Sequence, residues 1–404
     1  MASKIYDRKR HGRRSGRKAY RPKGAQKISP FLGVFIGIIV FCAVGALVLY
    51  LLPGVTDIDV GLFKSPKETP QAAATPEPTS HPLKNIDIDE LQQDVTVTDT
   101  SFQWFADATA HNGTLMFCAG EIVNGDAYMT ALMEVNTDSK SSKTARRVNL
   151  VLENDHIMYA TFNDNWLVYL DAKNKGGGKI KFCEYNSDYS KAKVVKEVYT
   201  GHPALFLSGN YLAWTERTGT SMDKLFICDL STMENATVQT FNRLTCYGVS
   251  KPHLLDNMLV WADVDSENST GSLTSQVCIL DVESGEYVSY KPGMYVHDPK
   301  CNGKDVIAWM TGNHGPDSDL YVSYNCKDPE LVAEGVVDFY MGENFIAYQR
   351  DQAVFVYTLS TKETYRITRN VENAQIIGVS ESYVIWNEIA SGNRETLKFA
   401  EIPE

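Results

Sequence analysis

From residue 110 onward the chain alternates short apolar runs with Gly, Asn, Asp and Ser, and seven of those runs share one phrase. A small or polar turn is followed by a strand that ends on a large aromatic. The copies are residues 113–117 (GTLMF), 165–169 (NWLVY), 210–214 (NYLAW), 257–261 (NMLVW), 305–309 (DVIAW), 344–348 (NFIAY) and 382–386 (SYVIW). Runs this short, apolar at successive positions and bounded by turn formers, predict strands buried on both faces. The third copy is the clearest. Strands are expected at 203–207, 211–216, 224–230 and 236–241, with 208–210 as a tight turn of the kind Gly and Asn permit.

The closing aromatics follow one another at steps of 52, 45, 47, 48, 39 and 38 residues. In an all-strand sequence this period marks a ring of like sheets, because each unit buries its faces only against neighbours. The fold class is therefore all-β, a seven-bladed β-propeller over residues 86–404. Its last copy is one strand short at the C-terminus. The alternating segment 94–98 (DVTVT) is expected to supply the missing strand, since a propeller protects its edges by closing on itself.

The repeats resemble those of TolB-like and WD40-like seven-bladed propellers over roughly residues 86–404. The resemblance is one of pattern. Turns such as 207–210 (LSGN), 255–257 (LDN) and 301–304 (CNGK) stand where the TolB-type turn reads Ser-Pro-Asp-Gly, and no blade ends on Trp-Asp. Thr200, Gly201 and His202 match the Gly-His of WD40 blades in one blade. The resemblance implies the fold and carries over no functional residue.

Composition changes the picture most before residue 86. Residues 1–30 carry eleven Lys or Arg against Asp7 alone, ten net positive charges in a chain whose total is −11. The rest of the chain accordingly carries −21. Residues 31–52 are 22 uncharged positions, and about 20 cross a bilayer as a helix. The basic flank keeps the N-terminus cytoplasmic and sends the propeller outside the cell. Residues 53–85, with five prolines between Lys64 and Pro82, read as a stalk. The expected location is thus the cell membrane, single-pass, of a Gram-positive-type bacterium. The bilayer is one partner through 31–52; nucleic acid is not expected to be another.

Seven cysteines follow the span, without a Cys-x-x-Cys pair, and are expected to behave as small buried apolar residues. Cys246 and Cys301 have loop-like surroundings, and whether they are bridged stays open. Candidate chemistry gathers on one face of the predicted disc. His156, His202, His253 and His297 stand at or just before innermost strands, followed by Asp298. His314 is in a loop that opens on the same face. These six are the candidate ligand-face residues. Two readings apply: a ring of imidazoles holding a divalent metal, through His202, His253 and His297, or histidines that tie each loop to the next blade. The recurring Trp residues are expected between blades rather than stacking on sugar.

Neither Gly-x-Ser-x-Gly nor His-Glu-x-x-His occurs, and no catalytic residue or cofactor is expected. The leading functional reading is a binding or scaffolding module for a protein or envelope polysaccharide. The alternative is a metal-dependent polysaccharide lyase or hydrolase using the His-rich face. It resembles the propeller-type oligogalacturonate lyases with histidine-held metal in architecture only.

Overall fold

Alternation inside the short strands explains how the sheets stack. In the second strand of the third copy, Leu212 and Trp214 face the preceding sheet while Ala213 between them faces the following one. The sixth copy repeats this, with Ile346 and Tyr348 facing back and Phe345 and Ala347 facing forward. A sheet apolar on both faces needs a neighbour on each side. The computed structural model shows seven such sheets arranged as a seven-bladed propeller, each with four antiparallel strands and the fourth sheet extended by a short fifth. It describes residues 67–68 and 91–404, less 124–125, 139–142, 155, 243–250, 265–274, 313–317, 369–372, 381, 390–393 and 403–404.

The tail 1–30 and the span 31–52 lie outside the described residues, as does the stalk apart from Lys67–Glu68. That dipeptide runs parallel to Val288–Ser289 on the outer strand of blade 4. Among the described residues no helix is long and apolar enough to cross a membrane.

The innermost strands, from blade 1 to blade 7, are Trp104–His111, His156–Phe162, Leu205–Ser208, His253–Leu255, His297–Cys301, Asp338–Met341 and Ala374–Ser380. We call the face where these strands begin the upper face. Each blade interface has its own apolar core, seven in all. The recurring aromatic always packs against the preceding blade: Tyr169 on blade 1, Trp214 on blade 2, and so on to Trp386 on blade 6. Phe117 of blade 1 packs against blade 7, among Ile385, Leu397 and Phe399. Burying an aromatic of this size contributes about 1.5–3 kcal/mol, so the repeated residue is the main apolar wedge at each joint.

Polar bonds join neighbouring turns on the lower face. Asn112 Nδ2 donates to Asp164 at 2.6 Å, Asn163 Nδ2 to the Gly209 carbonyl at 2.8 Å, and the Asp256 amide to Ser208 Oγ at 2.9 Å. The turn residues that define each repeat thus also link it to the next.

The N-terminal segment closes the ring. Gln92–Asp94 pairs antiparallel with Glu395–Glu401, placing Gln92 opposite Ala400 and Asp94 opposite Lys398. This strand begins two residues before the alternating stretch 94–98. Val95 still donates to the Leu397 carbonyl, but Thr96 turns to blade 1 and bonds with Lys143 and Ala145. One extended segment therefore serves two blades, and its alternation reflects half-exposure on both. Glu395 adds a second link: its Oε2 accepts the Phe105 amide at 2.8 Å and Asn387 Nδ2 at 2.7 Å. Cys301 is a free, buried thiol, so it is not bridged; Cys246 lies outside the described residues.

At the same joint Gly378 lies so close to the Ala108 carbonyl that a methyl group would collide with it. Gly378→Ala is expected to destabilise the protein by about 1–3 kcal/mol, as overpacking does. The urea midpoint of the variant measures it. Gly219→Ala, at a position with open space and no left-handed backbone, is the control and should change little.

Candidate binding channel

The innermost strands enclose a central cavity of about 430 Å³ to which all seven blades contribute. Bulges shape its wall. In blades 1, 2, 5 and 7 the pairing of the innermost strand slips by one residue, between Ala106 and Thr109, Met158 and Thr161, His297 and Lys300, and Ile376 and Gly378. Three of these bulges hold a non-glycine residue in the left-handed region: Asp107 (φ 51°), Tyr159 (φ 52°) and Asp298 (φ 49°). Aspartate tolerates that conformation, whereas a bulky tyrosine adopts it only at a cost. A bulge re-aims side chains, and all three residues line the cavity.

Each bulge aspartate also links two blades. Asp107 Oδ2 accepts the Tyr159 amide of blade 2 at 2.7 Å, and Asp298 Oδ1 accepts the Lys251 amide of blade 4 at 3.3 Å. Lys300 places its ammonium 3.9 Å from the centre of the Phe339 ring and donates to the Phe339 carbonyl at 2.5 Å. Asp338 and Tyr340 of blade 6 complete the charged section of the wall.

Electrostatics in this section follow from burial opposed by neighbours. Burial pushes the Asp107 carboxyl up, and the Tyr159 amide and the Lys251 charge only partly offset it. Burial pushes Asp298 up as well, but the bond from His297 and the Lys300 and Lys251 charges outweigh it and hold the group at about 2. Lys300 is lowered by burial against the opposing pull of Asp338 and Asp298. Burial raises the Tyr340 phenol, and Asp338, Asp107 and Tyr159 add to the effect. These cross-influences run between blades 1, 2 and 6 on one hand and blades 4, 5 and 6 on the other, so the groups share one small space.

The expected ligand-face histidines are placed differently from one another. His156 is buried and stacks on Tyr128 of blade 1, with ring centres 4.8 Å apart and an 8° tilt. His202 is 2.9 Å through Nε2 from the Lys173 carbonyl of blade 2. His253 Nδ1 accepts the Cys301 amide of blade 5 at 3.3 Å. Burial and the Lys300 charge lower His253 to about 3, which keeps its ring neutral and suited to accept. His297 is buried, 3.5 Å from the Asp298 carboxylate. His314 lies outside the described residues.

His156, His202 and His253 therefore each join two blades, and His202, His253 and His297 do not converge. Among the described residues no group of three or more His, Cys, Asp or Glu is arranged to hold a metal. Of the six candidates Asp298 and His253 reach the cavity wall, joined there by Asp107, His111, Lys251, Lys300 and Asp338. For Asp107, His111 and Lys300 the signal available was a charged or titratable residue inside an innermost strand, as in 104–111 (WFADATAH) and 297–301 (HDPKC); Lys251 precedes its strand and carries no such signal.

No protein-family model and no curated protein matches the chain. Among solved structures it is similar to the β-propeller domain of the Trilobed protease from Pyrococcus furiosus, which has an open velcro topology. The TM-score is 0.53 and the identity 14%, over 76% of this chain and 97% of that one. An oligogalacturonate lyase in complex with manganese matches at TM-score 0.52 and 10% identity, over 78% of this chain and 93% of the lyase. The acylaminoacyl peptidase of Pyrococcus horikoshii matches at TM-score 0.53 and 10% identity, over 76% of this chain but only 52% of the peptidase. Likeness at these identities establishes a shared propeller fold and nothing about activity.

Asp298 provides a pH test. Its folded pKa of about 2 lies below the value of about 3.9 expected when unfolded, so its stabilisation is present above pH ~4 and is lost as pH falls through ~2. The difference in unfolding free energy between the wild type and Asp298→Asn, measured by urea denaturation, should be widest above pH ~4, on the order of 2 kcal/mol, and close toward pH ~2. A gap independent of pH would contradict this assignment.

Proposed function

We propose that the protein is a membrane-anchored, extracytoplasmic binding module that takes a protein or cell-envelope ligand at the propeller channel. What carries the reading is the channel wall itself, where Tyr159 is held in strained backbone and bulges aim Asp107 and Asp298 into the cavity beside Lys251 and Lys300. Such strain persists only where surrounding structure enforces it, and it gathers at sites that bind or react. The cavity falls in the range of about 300–1,000 Å³ typical of small-ligand sites. The apolar span 31–52 with its basic flank supports a tether and an outward-facing disc.

The rival is a metal-dependent lyase or hydrolase, to which the fold of the manganese-bound oligogalacturonate lyase lends architectural support. It requires side chains that converge on one point, whereas His156, His202 and His253 stand at separate blade contacts and, among the described residues, no group of three His, Cys, Asp or Glu converges.

Capture and metal content, measured on the full chain in detergent, separate the two. The wild type is expected to retain a specific component of solubilised cell envelope that a Lys251→Met, Asp338→Asn double variant releases, and to hold substoichiometric metal. Equal retention by both proteins, or none by either, would overturn the channel reading. Stoichiometric manganese, zinc or calcium that is lost on His297→Ala would favour the enzyme.

A further inference from the structure

The ammonium groups of the channel are confined to one side of the ring. Both ammonium groups, Lys251 and Lys300, come from the adjacent blades 4 and 5, while Asp107 comes from blade 1. In a closed ring of seven, blade 1 stands across the axis from the junction of blades 4 and 5. Asp298 and Asp338 flank the lysines and lie within electrostatic reach of Lys300. Among the described residues no ion pair joins either lysine to a carboxylate, although Asp107 senses the Lys251 charge. Asp107 thus faces the lysines from the far side of the cavity, while Asp298 and Asp338 stand on the lysines' own side. Tyr159 and Tyr340 line the same cavity with phenols that stay O–H groups, neutral donors and acceptors.

Such an arrangement carries desolvation cost that direct pairing would have relieved. A ligand with one charge of each sign, spanning the axis, brings a directly contacting counter-charge to the lysines and to Asp107 at once. An ion of a single sign leaves one side unsatisfied and is repelled by part of the wall. We infer that the channel takes a small zwitterion of short-peptide size, its carboxylate toward Lys251 and Lys300 and its ammonium toward Asp107. This rests on the channel-binding reading above and narrows it to a ligand class.

Four probes test it by calorimetric titration of the full chain in detergent: triglycine, N-acetyl-triglycine amide, putrescine and succinate. Triglycine should bind saturably, and each of the others at least about tenfold more weakly, the size of one lost charge-assisted hydrogen bond. Lys251→Met should weaken triglycine by about tenfold and spare putrescine, Lys251→Arg should restore it, and Asp107→Asn should weaken triglycine while sparing succinate. Asn retains an acceptor for the Tyr159 amide, and a melting transition in each variant verifies folding. Should a variant fail to fold, the ranking of the four probes on the wild type still decides.

Equal or tighter binding of putrescine, succinate or the capped peptide would overturn the zwitterion inference and leave channel binding standing. Failure of all four probes while envelope capture remains sensitive to the channel variants would also overturn the inference alone. Failure of the probes together with variant-insensitive capture would overturn both.

Discussion

A sheet that is apolar on both faces cannot be an end piece, and this constraint organises the molecule. In the second strand of the blades, successive residues point in opposite directions and both sets are buried, as Leu212, Ala213 and Trp214 illustrate. A linear stack of such sheets would leave two apolar faces in water. Packing Phe117 of blade 1 against Ile385 and Phe399 of blade 7 removes both. The N-terminal segment completes the joint by bonding to the last blade at Gln92–Asp94 and to the first at Thr96. Glu395 joins the same two blades again from within.

Closing the ring creates the channel, and the chemistry of the channel is tied to the joints around it. Asp107 and Asp298 accept amides from neighbouring blades, so the groups that line the cavity also hold its wall in place. Histidines above it act in the same sense. His202 bonds back to blade 2 through Nε2 and His253 forward to blade 5 through Nδ1, each with one of its two ring nitrogens. Stability and ligand contact are consequently coupled at the channel, and substitutions there are best read with a folding control.

Legibility in the sequence followed repetition. The seven aromatics from Phe117 to Trp386 recur because one packing problem recurs, and the period gave both the blade count and their burial. The turns 208–210 and 301–304 were legible because Gly and Asn mark reversed backbone. Channel residues were not, since nothing repeats there. Lys251 and Lys300 occupy only two blades, and Asp107, Tyr159 and Asp298 depend on bulges formed without glycine, which leave no local mark. Four of the six ligand-face candidates stand at or just before innermost strands, with Asp298 next to one of them and His314 in a loop on the same face. That position brings a side chain to the upper face and leaves open whether it points along the channel or into the next blade. His156 against Tyr128 shows the second outcome, and Asp298 the first.

Register at the closing strand offers the most direct measurement. Asp94 and Lys398 are opposed across the blade 7 edge, and their side chains lie 3.4 Å apart. In the full chain, Asp94→Cys with Lys398→Cys brings two thiols to strand-pair distance, which a disulfide spans. A ring sealed in this register predicts a cross-link between these two positions under mild oxidation, identified by mass spectrometry, with a raised melting temperature. Thiols that stay reduced under the same conditions, in a protein that otherwise melts cooperatively, would contradict closure of the ring by the N-terminal segment.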